Sequence, residues 1–206
     1  MTIAGVFATI LGGLAILLAG WLVVARVAFV PPPRWREARV RFRGTGPKGD
    51  FGELLTAAIL TQKGWRQLPS KLDAAGHGID GVFIRRHWLG VRVRLTETKV
   101  NASRFKRDQL SSAKLIRALG DLYVMGVLDQ ATATAIIRGL KWRSFLVTKE
   151  YWHHSLHTGI TTVRRARRDG RLTGRRRKHD TAALMESLAM MLSALDREGR
   201  YIATGA

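Results

Sequence analysis

The chain has 206 residues and a formal net charge of +20, from 35 Lys and Arg against 15 Asp and Glu. Such a surplus repels itself in a compact state, which points to an anionic partner, nucleic acid first and an anionic lipid surface second. The absence of cysteine excludes disulfides and thiolate metal sites, and the length leaves room for one membrane span and one modest domain.

From Ile3 to Ala25 no side chain is charged, and roughly 20 apolar residues suffice to cross a hydrocarbon core. The first basic residue, Arg26, follows the apolar run, the reverse of a cleaved signal peptide. Residues 1–30 therefore read as a single-pass transmembrane anchor. Arg34, Arg36, Arg39, Arg41 and Arg43 flank one side only, so the positive-inside rule puts the N-terminus outside and the C-terminal domain in the cytoplasm. Pro31-Pro32-Pro33 stops the helix, and residues 31–48 form a basic Pro- and Arg-rich linker.

The expected core is 49–152. Gly44 to Gly49 reads as a loop, and Asp50 starts a helix through about Lys63 with Leu54, Leu55, Ala58 and Ile59 as its apolar stripe. A loop with Pro69, Ser70 and Gly76 precedes two β-runs, Asp80 to Arg85 and Val91 to Val100, joined by a turn around His87 to Gly90. A helix begins after Ser103 and reaches about Tyr123 or Met125. Asp129 caps another that ends near Gly139, and Phe145 to Thr148 reads as a short buried strand. Residues 153–179 are polar and Arg-dense, and 180–206 hold a final amphipathic helix from Asp180 to about Arg197. The pattern predicts an α/β domain with a central mixed sheet flanked by helices.

The second β-run alternates. Val91, Val93, Leu95, Glu97 and Lys99 share one face; Arg92, Arg94, Thr96 and Thr98 share the other. Glu97 and Lys99 thus continue the apolar face, which is costly unless they pair or hold a metal. With the turn centred on Trp88 and Leu89, Asp80 falls opposite Glu97, with Cβ atoms roughly 5 Å apart. Facing carboxylates without thiols suit a hard, oxygen-liganded ion, Mg²⁺ or Mn²⁺. A slip of one residue in register would break this pairing.

Gly78-Ile79-Asp80-Gly81-Val82-Phe83 followed by Glu97-Thr98-Lys99 resembles the PD-(D/E)xK signature of the restriction-endonuclease-like nucleases, in particular their toxin and effector domains. The resemblance covers roughly Gly49 to Ser112. It implies a metal-dependent endonuclease acting on DNA, RNA not excluded, with Asp80 and Glu97 as metal ligands and Lys99 positioning or deprotonating the attacking water. It adds Glu53, on the preceding helix, as a third ligand and Gln109, in Arg107-Asp108-Gln109-Leu110-Ser111, as a water-orienting residue.

Blander readings stand beside these. Glu53 lies three residues after Asp50 and suits a capping box. Asp80 suits a turn, Glu97 and Lys99 a same-strand ion pair, and Gln109 a buried hydrogen-bonding role. Arg164, Arg165, Arg167, Arg168, Arg171, Arg175, Arg176, Arg177 and Lys178 would form a phosphate-binding surface, or else a solvated loop or a lipid contact. His153, His154 and His157 lack the cysteine or nearby acidic cluster that would complete a zinc site. Leu184, Met185, Leu188, Met191, Leu192 and Leu195 form a packing face that could also pair a homodimer or partner protein. Two other functions fit the same sequence, an inactive membrane-tethered nucleic-acid-binding module and a single-pass protein gripping anionic lipid through its Arg runs.

Overall fold

The computed structural model describes residues 40–42, 45–72, 78–142, 144–195 and 201–203, all within the unit Arg36–Ala206. The apolar segment 3–25, Arg34, Arg36, Arg39, Arg43 and His77 lie outside them.

The first helix, α1 (Thr45–Gln62), starts earlier than the expected Asp50. Pro47 is no obstacle, because a first-turn residue has no intrahelical partner for its N–H. Asp50 is therefore inside the helix, and a capping box with Glu53 does not form. Phe51, Leu55, Ile59 and Leu60 are buried. The stretch expected to be loop contains β2 (Arg66–Leu68), followed by β3 (Gly81–His87) and β4 (Gly90–Val100). The β3–β4 hairpin has the expected register, with Gly81 opposite Thr96 and Val82 opposite Leu95.

The helix expected from Ser103 is two elements. A 3-10 turn, Arg107–Leu110, ends at Ser111, whose extended backbone breaks the path and whose hydroxyl caps α2 (Ser112–Val124). Asp129 caps α3 (Gln130–Lys141) as expected, its carboxylate accepting from Thr132 N–H. The expected short strand is β5 (Val147–Ser155), displaced and longer because it pairs along β4; Phe145 is left exposed. The Arg-dense stretch is no loop. It supplies the end of β5, then β6 (Ile160–Ala166) and β7 (Leu172–Asp180). Thr and Val at the buried positions 161–163 make β6 a strand, while the Arg-rich β7 suits an edge, where charge discourages further pairing. Then α4 (Ala182–Leu195) ends the main fold, and β8 (Tyr201–Ala203) pairs with β1 (Val40–Phe42). Met185 and Ala189 carry the buried face of α4, whereas Met191 is exposed.

The six-stranded sheet has the order β2-β3-β4-β5-β6-β7, with β4 and β5 parallel and every other pair antiparallel. The fold is thus α/β with a mixed sheet, as expected. None of its described helices is long and apolar enough to cross a membrane. One sheet face packs against α2 and α3 through Val82, Val93, Leu95, Leu115, Leu119 and Ile136. The other meets α1, so Thr96 and Thr98 are buried rather than wet. Gly52 permits the close approach, since a Cβ there would collide with the Val100 and Thr98 side chains.

Beneath α1 lies a polar seam. His154 Nε2 bonds Thr56 Oγ1 at 2.8 Å and Nδ1 bonds Thr161 Oγ1 at 2.7 Å; Thr56 also meets Thr98, and Thr161 meets Thr181. Burial first, and then the neighbouring His153, push the His154 pKa down to about 3. The unfolded chain takes up this proton below its ordinary value near 6.5, and the folded chain does not, so stability falls as pH drops from about 6.5 toward 3. Because Glu97 acts in the opposite sense over the same range, the test is the difference between proteins: in urea melts at pH 7 and pH 5, His154→Gln is expected to gain on the wild type at the lower pH. A difference that does not change with pH would show that His154 does not act in this window.

Candidate active site

The acids meet where β3 and β4 begin to separate. Asp80 precedes the first residue of β3, and its Oδ2 accepts the Thr98 N–H of β4 at 2.8 Å. That bond fixes the carboxylate beside Glu97, as the hairpin register requires. Lys99 Nζ donates to Glu97 Oε1 in a same-strand ion pair, so the pairing and the inward orientation coexist. Burial first, and then the charge of Asp80, raise the Glu97 pKa to about 7, against the opposing pull of Lys99.

Glu53 comes from α1 on the other side of Asp80. Lys71 bridges the two, with Nζ 2.8 Å from Glu53 Oε1 and 3.5 Å from Asp80 Oδ1. Burial raises the Glu53 pKa against the lowering effect of Lys71, and Asp80 raises it further. Burial opposes charge on Lys71, but Glu53 and Asp80 together outweigh it and hold its pKa above normal. Lys71 gave no sequence signal. It reaches the site through the bridge between Lys71 and Gly78, where Gly78 has φ 131° and a Cβ would collide with the Ser70 carbonyl.

Glu53, Asp80, Glu97 and Lys99 are thus neighbours in one site, in a chain order of contacts from Glu53 through Lys71 and Asp80 to Glu97. Gln109 is not turned toward them. Its Oε1 accepts the Lys106 N–H at 2.9 Å and closes the 3-10 turn, a local structural role. Among the described residues, no three acidic, histidine or cysteine side chains converge tightly enough to ligate one ion. The donor set still suits a hard divalent ion held by Asp80 and Glu97 and completed by water and substrate, because the three carboxylates Glu53, Asp80 and Glu97 share two ammonium groups, Lys71 and Lys99.

Register extends the site across the sheet. Residues paired on neighbouring strands point to the same side, so Tyr151 and Arg164 share the Glu97 face, and His153, Thr162 and Lys178 share the Lys99 face. Arg176 is close enough to Tyr151 to lower its pKa, although burial and Glu97 raise it overall. Alternation sends Arg165 and Arg177 to the opposite face with Glu150 and Trp152. Arg177 Nη2 there meets Glu150 Oε1 at 2.8 Å, and Arg94 meets Glu150 Oε2 at 3.3 Å. Arg175 lies on β7 where register shifts opposite Arg164. Arg167, Arg168 and Arg171 belong to the β6–β7 turn, where the Arg167 and Arg168 carbonyls accept from the buried Lys149. His153 and His154 point to opposite faces, so they cannot share a metal.

No family model, no curated protein and no solved structure matches this chain.

Because the folded state holds the Glu97 proton more tightly than the unfolded one, this group's contribution to stability declines as pH rises from about 4.5 through 7. In a chelator-containing buffer, Glu97→Gln is expected to gain on the wild type across that window by about 1.4 kcal/mol per pH unit. Paired denaturation curves at pH 5, 6 and 7.5 check this, and a pH-independent difference would contradict it.

Proposed function

We propose that the chain is a membrane-anchored, Mg²⁺- or Mn²⁺-dependent nuclease that hydrolyses DNA phosphodiester bonds at the Asp80–Glu97–Lys99 site. The observation that carries the reading is the convergence of Asp80 with the buried Glu97 beside Lys99, in the arrangement the signature resemblance implies. The charge-free run 3–25 supports the anchor, and the one-sided Arg flank supports a cytoplasmic domain.

Asp80 and Glu97 would hold the ion, with Glu53 assisting through water. Bound there, a divalent cation lowers the pKa of a coordinated water and draws charge from the phosphate oxygens. The Thr98 N–H keeps Asp80 in place, and Lys71 holds Glu53 and Asp80 in register with each other. Lys99, on the rigid end of β4, positions the attacking water and balances charge that builds on the phosphate. Arg164, Arg176 and Lys178 extend positive charge away from the acids along one face, where they can hold the substrate backbone. Arg164 Nε is buried without a hydrogen-bond partner among the described residues, a donor that a phosphate oxygen would satisfy.

One observation favours a second reading. Lys71 already neutralises Glu53 and Asp80, as it would in an inactive nucleic-acid-binding module. Cleavage separates the two. Plasmid DNA incubated with the full-length chain and Mg²⁺ is expected to be nicked and linearised, and EDTA to stop the reaction. Lys99→Ala is expected to lower the rate on the order of 100-fold or more with little change in DNA affinity. Binding without cleavage, identical in wild type and variant, would leave the module.

The face assignment gives a separate outcome. Arg164→Gln and Lys178→Gln are each expected to reduce the slope of log affinity against log salt by about 1. Arg177→Gln, tied to Glu150 on the other face, is expected to leave that slope unchanged in a titration of labelled duplex. Equal slopes for all three would remove the track.

A further inference from the structure

The end of the sheet farthest from the acids carries an unusual set of side chains. A two-residue hairpin tip ordinarily takes Asn, Asp or Gly, but the β3–β4 turn consists of Trp88 and Leu89. Trp88 is 83% exposed, and Leu89 and Val91 are also exposed. Within the turn, Leu89 N–H donates to His87 Nδ1 at 3.3 Å. The α3–β5 connection adds Trp142, 80% exposed, and Phe145, 65% exposed. It lies at the same end, because Val93 pairs with Val147 and Val93 N–H donates to the Leu146 carbonyl.

Cations surround these apolar tips. Arg85, Arg86 and Arg92 flank the hairpin; Arg85 and Arg92 are directly opposite each other, an unfavourable like-charge pairing eased on one side by the Trp65 ring and the Lys63 carbonyl that Arg85 meets. Arg138 and Lys141 occupy the last turn of α3. Neither Gly81 to Thr96 nor Gln130 to Lys149 contains a single Asp or Glu. Projecting Trp, Leu and Phe side chains ringed by Arg and Lys, without acids, match the interface of an anionic bilayer: aromatic rings prefer headgroup depth, and each nearby cation is attracted to the negative surface. A nucleic acid would use the cations but leave Leu89, Val91 and Phe145 unpartnered.

We propose that this end of the domain docks on an anionic lipid bilayer, with Trp88 and Leu89 of the hairpin tip and the side chains of Trp142 and Phe145 seated at headgroup level. The contact is additional to any anchoring by residues 3–25 and does not depend on the nuclease reading. Glu97 lies eight residues along β4 from Leu89, about 26 Å at strand rise, so docking here leaves the acid site on the side away from the lipid.

The native chain has no cysteine, so a single introduced thiol reports one position. An environment-sensitive dye is placed in the full-length protein at Leu89→Cys, Phe145→Cys or Met125→Cys, the last exposed at the C-terminal end of α2. Each protein is mixed with phosphatidylcholine vesicles with or without phosphatidylglycerol, and quenching by neutral acrylamide is read. The expected result is a blue shift and several-fold weaker quenching at positions 89 and 145 in the phosphatidylglycerol vesicles alone, with position 125 unchanged. Arg86→Gln combined with Lys141→Gln is expected to diminish the protection. Three results would each overturn the proposal: unchanged quenching at 89 and 145, equal protection at 125, or protection that duplex DNA or raised protein concentration produces without lipid.

Discussion

The site depends on one constraint, the buried Glu97 carboxylate set beside a second acid, Asp80. Among the described residues, Glu97 and Glu150 are the two buried acids, and their surroundings differ. Glu150 receives Arg94, Arg177 and the Trp152 indole N–H, with Arg94 itself stacked over Trp65 at 4.2 Å. Glu97 has Lys99 and faces Asp80. A chain with 35 cationic side chains had ample means to neutralise both sites. It sets two arginines on Glu150 but one lysine on Glu97, which also faces a second carboxylate, a repulsion that an added cation relieves.

Strand geometry then distributes the remaining charge. Because side chains alternate, Arg164 and Arg165 cannot serve one surface, nor can Arg176 and Arg177. One of each pair shares the Glu97 face, and the other joins the Glu150 cluster or its surroundings. The helices reinforce this division. On the Glu97 side, α2 and α3 cover Val93 and Leu95 nearer the hairpin turn, while on the other side α1 covers Thr98 and Val100 at the opposite end of β4. The acids are thus held at a strand paired on both sides, with Gly52 and Gly78 allowing α1 and the Lys71 segment to approach.

The hairpin and its register were legible because the run of alternating residues is long and its turn is short. Both fix pairing locally, and the Asp80–Glu97 juxtaposition follows from them. The cap at Asp129 and the end of α1 near Lys63 were legible for the same reason. What escaped depended on distant partners. β5 extends beyond its apolar start because β4 offers a parallel edge, and β6 and β7 form where an Arg-dense composition suggested a loop. Burial of Thr96 and Thr98 required α1 on their face, which alternation alone does not reveal. Lys71 escaped because it is brought in by a bridge to Gly78, and Gln109 was misleading because a local 3-10 turn claims its amide. The apolar run 3–25 is a sequence inference about residues outside those the structure describes.

Everything chemical in this account depends on Asp80 and Glu97 sharing a divalent ion. Titration of Mn²⁺ into the full-length chain, followed by the loss of the free-ion paramagnetic resonance signal, measures this without any substrate. The account predicts one saturable site per chain at pH 8, weakened strongly by Asp80→Asn and by Glu97→Gln and more weakly at pH 6, where Glu97 is largely protonated. Uptake that is absent, or that is indifferent to both substitutions, would contradict it.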